Sequence, residues 1–165
     1  MIFSKLFIIL FFVIILFLKQ LQAQNPILFQ QDEKYGYKQP DGKVLVAPKY
    51  TLATKFSPHG LAYVADNEGW RVIDSTGNVH FLPFIYDNAP DEFADGLARF
   101  VENEKIGFYN EQGKIIIPAT WTFAEPFKDG KAMVCVGCQK VYDGEHFYYE
   151  SGDRFHIDKN GKRLP

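Results

Sequence analysis

Four segments of this chain repeat one pattern, so the fold must be built from copies of one unit. The second positions of the aligned segments are residues 36, 71, 107 and 155, and a glycine follows each of them after six residues. The intervals between these positions are 35, 36 and 48 residues. A single copy of this length cannot bury its own apolar face, and neighbouring copies must therefore cover one another.

The copies share further aromatic positions after that glycine. In the first three copies a proline is followed within three residues by an aromatic side chain, which is Tyr50, Tyr86 or Trp121. A phenylalanine then precedes a second glycine by three or four residues, at Phe56, Phe93 and Phe127. We expect these aromatic residues and Trp70 to lie in the core, with Tyr86 and Trp121 at equivalent positions.

Short segments rich in β-branched and aromatic residues lie between turn residues, which is typical of β-strands. Such segments occupy residues 44–46, 61–65, 115–117 and 132–136. Glycine closes a tight turn, where a hairpin loop needs a left-handed backbone, at Gly42, Gly113 and Gly161. Beyond the amino-terminal segment, no long stretch has the apolar spacing of an amphipathic helix.

The sequence therefore predicts an all-β fold, an antiparallel meander of repeated β-hairpins. Counted backward from position 36, residue 27 takes the place that residue 62 has in the second copy. Four hairpins would then be joined by three connecting strands. Both an open stack and a curved, propeller-like or barrel-like arrangement satisfy this pattern.

The first 23 residues have the three parts of a secretory signal peptide. Lys5 precedes an unbroken apolar run over residues 6–18, and Ala23 offers a small residue for cleavage before Gln24. This run of 13 residues is shorter than the roughly 20 that a bilayer-spanning helix needs. We expect a signal-peptide helix over 1–23 and a repeat domain over 24–165 that is periplasmic, at the outer surface or secreted, with no membrane span. An uncleaved anchor is the alternative.

Composition and motifs disfavour several classes of function. With 18 basic and 20 acidic residues, the chain has a formal charge of −2 and no basic field for nucleic acid. It has neither a Gly-x-Ser-x-Gly elbow nor a glycine-rich phosphate loop. We therefore expect no catalytic residues, no cofactor and no nucleic-acid partner.

The third copy carries an insertion at about residues 137–152. Its hairpin takes 25 residues from Gly130 to position 155, whereas the two preceding copies take 11 over the same interval. The insertion contains the following candidate binding residues: Tyr142, His146, Phe147, Tyr148 and Tyr149. Exposed aromatic side chains would offer a large rigid contact area to an unidentified protein or glycan. The alternative is that these rings pack onto the adjacent repeat.

Cys135 and Cys138 stand at the base of the insertion. A structural disulfide is favoured for an exported chain with an even number of cysteines. Cys135 also aligns with Ala65 and Val101, which indicates an apolar position. A thiol-redox motif would need a helix amino terminus to lower the thiol pKa, and this position at a strand end does not provide one.

A metal site is the other alternative for this region. Its ligands would be Cys135, Cys138 and His146, with Asp143 or Glu145 as a substitute ligand. The spacing Cys-x2-Cys-x7-His-x9-His, which ends at His156, does not match a structural zinc finger. We expect His156 to be a packed ring at an aromatic position of the repeat, and the protein to hold no metal.

The repeated pattern resembles the WG repeat family, also called KWG repeats. The third copy shows the pattern as Ile-Gly-Phe-Tyr-Asn, Gly-Lys, Pro and Trp between Ile106 and Trp121. Only Trp70 keeps the family tryptophan. The resemblance covers about residues 27–165, as three full repeats and a terminal half. It implies an exported or surface-associated protein that acts as a binding or interaction scaffold and has no general catalytic residues.

The functional hypothesis is an exported, non-enzymatic scaffold that binds a protein or glycan at the cell envelope, with the lengthened hairpin of the third copy as its variable surface. One alternative is a small envelope protein that binds a metal or exchanges thiols through Cys135, Cys138 and His146. A purely structural component of the envelope is another.

Overall fold

A computed structural model describes residues 25–144 and 146–165 of the protein. The predicted signal peptide at 1–23, Gln24 and Glu145 lie outside the described residues. In chain order the strands are β1 (Ile27–Gln31), β2 (Lys34–Lys38), β3 (Val44–Tyr50), β4 (Leu52–Ala53), β5 (Leu61–Asp66), β6 (Gly69–Asp74), β7 (Val79–Pro83), β8 (Ile85–Tyr86), β9 (Ala89–Pro90), β10 (Leu97–Glu102), β11 (Lys105–Asn110), β12 (Ile115–Trp121), β13 (Phe123–Ala124), β14 (Lys131–Val136), β15 (Gln139–Asp143), β16 (His146–Glu150) and β17 (Asp153–Asp158). Over these described ranges, no helix has the length and apolar character needed to cross a membrane.

Four antiparallel hairpins correspond to the four copies of the sequence pattern, and they confirm the all-β prediction. They are formed by β1 with β2, β5 with β6, β10 with β11, and β14 with β17. The aligned residues Gly36, Arg71, Gly107 and Phe155 take the same place in each hairpin. They lie opposite Phe29, Val64, Phe100 and Val134, in that order.

Each connecting segment pairs with two successive hairpins. On β7, Phe81 pairs with Val72 of the second hairpin, and Leu82 pairs with Val101 of the third. In the same way, β3 pairs with the first hairpin and β4 with the second. Further along the chain, β12 pairs with the third hairpin and β13 with the fourth. Because β1 and β17 are edge strands that do not pair with each other, the described strands form an open stack, and no propeller-like closure is seen among them.

Side chains of neighbouring hairpins fill a core layer between each pair. On β6, Val72 belongs to the layer shared with the third hairpin, and Ile73 belongs to the layer shared with the first. Consecutive side chains of a strand point to opposite faces, so one strand contributes to both layers. The layer between the third and fourth hairpins includes Phe108, Phe127, Val134 and Ile157. An inner hairpin is thus apolar on both faces.

The predicted glycine turns are confirmed. Gly42, Gly77, Gly113 and Gly161 have φ angles between 77° and 90°. In the turn before β12, the N–H of Gly113 donates to the carbonyl of Asn110 at 2.8 Å. The left-handed backbone at Gly113 favours glycine, and a Cβ atom there would also lie 2.9 Å from Cδ1 of Leu61, which would have to shift.

The expectation that Tyr86 lies in the core is wrong. The other repeated aromatic residues are buried or partly buried: Tyr50, Phe56, Trp70, Phe93, Trp121 and Phe127. Tyr86 is 70% exposed because the chain leaves the stack after Phe84 and forms the short strands β8 and β9. Asp87 and Asn88, with left-handed φ angles of 50° and 67°, form the tight turn that follows Tyr86.

The expectation of a packed ring at His156 is also wrong, because this residue is exposed. The next hairpin along the chain covers the equivalent side chains, which are Tyr37, Val72 and Phe108. His156 alternates with Phe155 and Ile157, which face the third hairpin, so its ring points to the other side. Among the described residues, no further hairpin covers that side.

Candidate functional site: an aromatic cleft beside the inserted hairpin

The predicted disulfide joins Cys135 to Cys138, with their Cα atoms 5.8 Å apart. Cys135 lies on β14 and is fully buried, and Cys138 is only 7% exposed. The backbone N–H of Cys138 donates to Oγ1 of Thr122 at 3.0 Å. The disulfide therefore fixes the start of the insertion to the strand pair of the fourth hairpin.

The disulfide bears directly on the metal and redox alternatives. Both sulfur atoms are bonded, so neither is a thiolate ligand in this state. Of the other proposed ligands, Asp143 is exposed at the end of β15, Glu145 is not described, and neither is the side chain of His146. Within the described residues, no three His, Cys, Asp or Glu side chains come together as a metal site. The disulfide also lies at a strand end, and within the part of the chain that the structure describes no helix amino terminus lies beside it to activate a thiol.

The insertion folds into a second, smaller hairpin formed by β15 and β16. Tyr142 pairs with Phe147, and Val141 pairs with Tyr148. Phe147 and Tyr149 share one face of this hairpin, and Tyr148 lies on the opposite face. The Phe147 and Tyr148 side chains are 53% and 51% exposed. The structure thus presents aromatic surface on both faces of the insertion, and a binding role for these residues stays a prediction.

One face of the inserted hairpin borders a cleft of about 670 Å³. The cleft is formed by the β8–β9 region, by residues 123–128 and by the insertion. Its lining residues are Phe84, Tyr86, Asp91, Arg99, Phe123, Glu125, Pro126, Phe127, Lys128, Phe147 and Tyr149. A cavity of this size, lined by aromatic rings with a few polar groups, has the dimensions and chemistry of a small-ligand site. We call it the aromatic cleft.

The Tyr149 ring is held in the cleft by packing. Its centroid lies 4.6 Å from that of Phe123 on β13, and it meets Phe147 edge-on at 6.0 Å. On the same hairpin, the Lys140 ammonium lies 3.8 Å from the Phe147 ring centroid, within cation–π distance. Tyr149 therefore packs within its own copy of the repeat, on Phe123, whereas Phe147 stays 53% exposed.

A buried ion pair borders the cleft. Nε and Nη2 of Arg99 donate to the two carboxylate oxygens of Asp91, each at 2.8 Å, and Nη1 donates to the carbonyl of Ala124 at 2.8 Å. The guanidinium also stacks on Phe84 at 4.0 Å from the ring centroid. The side chains of this pair are only 5% and 8% exposed. Bidentate geometry and the third acceptor compensate for the loss of water around both charges.

Two residues of the cleft were not predicted as site residues from the sequence, although each left a signal there. Arg99 occupies the repeat position that Leu28, Tyr63 and Met133 take in the other hairpins, and a charge at an otherwise apolar position indicates a buried partner. Tyr86 precedes the turn-forming residues Asp87 and Asn88, a pair that favours a tight hairpin turn. The predicted residues Phe147 and Tyr149 lie in the cleft, whereas Tyr142 and Tyr148 do not line it.

A second cavity, of about 310 Å³, lies between the second and third hairpins. The hydroxyl groups of Tyr63 and Tyr109 are hydrogen-bonded there at 2.8 Å. Burial raises the pKa of both tyrosines, and the hydrogen bond to Tyr63 further raises the pKa of Tyr109. Both rings therefore stay neutral at physiological pH and contribute to packing between the hairpins.

An open stack of β-hairpins, with one lengthened hairpin that borders a cleft, defines this molecule as a repeat scaffold. The family model described as WG containing repeat matches the sequence in three successive segments, residues 35–70, 70–105 and 106–137. The chain therefore belongs to the WG repeat family. The third match ends where the insertion begins, so most of the inserted hairpin lies outside the matched repeats. No curated protein and no solved structure matches the sequence significantly.

Proposed function

We propose that this protein is an exported, non-enzymatic binding scaffold of the cell envelope, and that the aromatic cleft holds its protein or glycan ligand. The observation that carries the proposal is the cluster of aromatic rings around one concavity, two of which, Tyr86 and Phe147, remain more than half exposed. Family membership supports a scaffold role, because repeats of this kind provide extended surfaces for partners.

Physical chemistry explains why such a cleft favours a ligand. Covering apolar surface is favourable by about 25 cal/mol for each Å² removed from water. The walls are also ordered in advance, because Tyr149 packs on Phe123 and the disulfide fixes the start of the insertion. A ligand therefore does not have to order these groups when it binds, which preserves affinity.

The proposal is tested by removing the inserted hairpin without disturbing the stack. Val136 pairs with Asp153, as Glu102 pairs with Lys105 in the third hairpin. Residues 137–152 can therefore be replaced by the two-residue turn Asn-Glu that joins β10 to β11. The variant also carries Cys135→Val, because valine stands at the equivalent position 101 and the change leaves no free thiol.

The full-length chain and this variant are each expressed, purified and used to capture ligands from envelope extract. A ligand retained by the wild-type protein and lost with the variant supports the proposal. Tyr148→Ala, on the face of the insertion away from the cleft, is the matched control and should retain the ligand. If the variant keeps its fold by circular dichroism and captures the same ligands as the wild type, the cleft is not the binding site.

A further inference from the structure

We propose that the aromatic cleft takes a neutral glycan, recognised by aromatic stacking and by hydrogen bonds from side chains. This inference rests on the proposed binding function and adds the chemical class of the ligand. It follows from three properties of the cleft. Its charges balance, the backbone groups beside it already make hydrogen bonds, and the side chains left to contact a ligand are aromatic or polar.

The charges that line the cleft cancel. Asp91 and Arg99 form the buried pair, and Glu125 and Lys128 add one exposed charge of each sign. The Arg99 guanidinium already donates to three acceptors and stacks on a ring, so it is not free to bind an anion. An acidic polymer would find no net positive charge in this site.

The charges next to the cleft do not add a net positive charge either. A cavity of about 510 Å³ adjoins the cleft and shares Tyr86, Asp91 and Pro126 with it. The charged side chains that this cavity adds are Asp87 and Glu92, and both are acidic and exposed. On the opposite wall, the Lys140 ammonium lies over the Phe147 ring and Arg154 donates to the carbonyl of Tyr149. The neighbouring charges therefore also balance, and an anionic polymer gains no net attraction.

Backbone groups beside the cleft already have partners, which disfavours an extended peptide. The backbone N–H of Phe84 donates to the carbonyl of Arg99 at 3.1 Å. The carbonyl of Phe84 accepts a hydrogen bond from the backbone N–H of Asp91 at 2.9 Å. The carbonyl of Ala124 accepts from Arg99, and that of Tyr149 accepts from Arg154. A peptide that adds to a sheet edge needs free backbone donors and acceptors in a row. The groups named here do not offer such a row.

The groups that remain free are ring faces, phenolic hydroxyls and two exposed polar side chains. Tyr86 and Tyr149 each combine an apolar ring with a hydroxyl, and Glu125 and Lys128 supply an acceptor and donors. A sugar ring presents an apolar C–H face and a rim of hydroxyl groups, so it matches both kinds of group at once. At about 670 Å³, the cleft has room for a segment of about two or three sugar rings.

The test is calorimetric titration of the purified protein, after expression of the full-length chain, with defined probes. The neutral probes are tri- and tetrasaccharides of glucose, galactose, mannose and N-acetylglucosamine in α- and β-linkages. The comparison probes are an oligogalacturonate, which is anionic, and a lysine-rich peptide, which is cationic. Tyr86→Ala and Phe147→Ala remove exposed rings from the cleft, and Tyr148→Ala is the control on the same strand as Phe147.

We expect at least one neutral oligosaccharide to bind, with affinity reduced about tenfold or more by Tyr86→Ala and by Phe147→Ala and unchanged by Tyr148→Ala. Binding that all three variants leave unchanged would overturn the site. Binding of only the anionic or the cationic probe, or of none, would overturn the ligand class. In that last case the proposed function still stands if envelope capture depends on residues 137–152, so the two failures are distinguishable.

Discussion

Single residues decide where this repeat departs from regularity, and Arg99 shows this most clearly. Its hairpin position is apolar in the other three copies, yet here it carries a charge at a side-chain exposure of only 5%. The charge is tolerated because Asp91 lies opposite it on the segment that leaves the stack. The ion pair thus ties the β8–β9 region to the third hairpin and shapes the border of the aromatic cleft.

Arg99→Met should lower the free energy of unfolding by about 3–5 kcal/mol, because it leaves Asp91 buried without its partner. Methionine stands at the equivalent position 133. The double change Arg99→Met with Asp91→Leu should be less harmful than the single change. Urea unfolding provides the measurement. Arg163→Met is the control, since the Arg163–Asp153 pair at 2.9 Å is well exposed and should contribute less than about 1 kcal/mol. Equal effects of Arg99→Met and Arg163→Met would contradict this account.

The Tyr63 and Tyr109 hydroxyls predict a loss of stability in alkali. Burial raises the pKa of both groups above the ordinary value of about 10 that they regain on unfolding. Below about pH 10 their contribution to the free energy of unfolding is complete. It is lost as the pH rises toward the folded-state pKa values, because the tyrosines of the unfolded chain release their protons first. Unfolding followed between about pH 9 and pH 11 should show this decrease, and Tyr109→Phe should show a smaller one. An identical decrease in the variant would show that other groups cause it.

At the scale of elements, the two departures from the stack both lie at the cleft. The β8–β9 turn leaves the second connecting segment, and the β15–β16 hairpin extends the fourth hairpin. Tyr86 on the first and Phe147 on the second both line the concavity between them. Regular copies of the repeat bury their aromatic residues, so the cleft exists because two elements do not follow the repeat.

Tyr86→Ala should change the free energy of unfolding by less than about 0.5 kcal/mol, because the side chain is mostly exposed. Tyr50→Ala, at a buried aromatic position of the first copy, should cost about 3–5 kcal/mol. Thermal unfolding followed by circular dichroism compares the two variants. A large loss for Tyr86→Ala would mean that the β8–β9 turn supports the stack.

The disulfide should stabilise the inserted hairpin without providing reactivity. Cys135→Val with Cys138→Ser should keep the fold and lower stability by about 2 kcal/mol, the value expected when so short a loop is closed. Thiol titration of the oxidised protein should find no free thiol, and elemental analysis should find no stoichiometric zinc. Two titratable thiols with about one zinc per chain would contradict this and would indicate a zinc site with Cys135, Cys138, His146 and Glu145 as ligands.

For the whole molecule, export with cleavage after Ala23 remains a prediction from the sequence. Lys5, the apolar run over 6–18 and the small residue at the cleavage position occur in the required order. Amino-terminal sequencing of the protein recovered from the envelope fraction should therefore begin at or near Gln24. A membrane-bound product that retains Met1 would establish an uncleaved anchor instead.

The sequence predicted the hairpins and their order because both depend on local periodicity. Glycine spacing fixed the register, and the alignment of Cys135 with Ala65 and Val101 correctly indicated a buried side chain. The cleft could not be predicted in the same way. It needs contacts between residues 84–99, 123–128 and 147–149, and no repeat pattern encodes the distance between such segments. The errors at Tyr86 and His156 share this cause, since burial there depends on neighbouring elements.

The tips of the first three hairpins, at residues 32–33, 67–68 and 103–104, correspond in register to the segment 137–152. At the tip of the fourth hairpin the chain carries the long segment 137–152, and the core layers between the hairpins are intact. The same edge of the stack is therefore a row of grafting points, one repeat apart, at which a designer could install new loops. Two such loops on adjacent tips would enclose a synthetic recognition site whose width is set by the spacing of the hairpins.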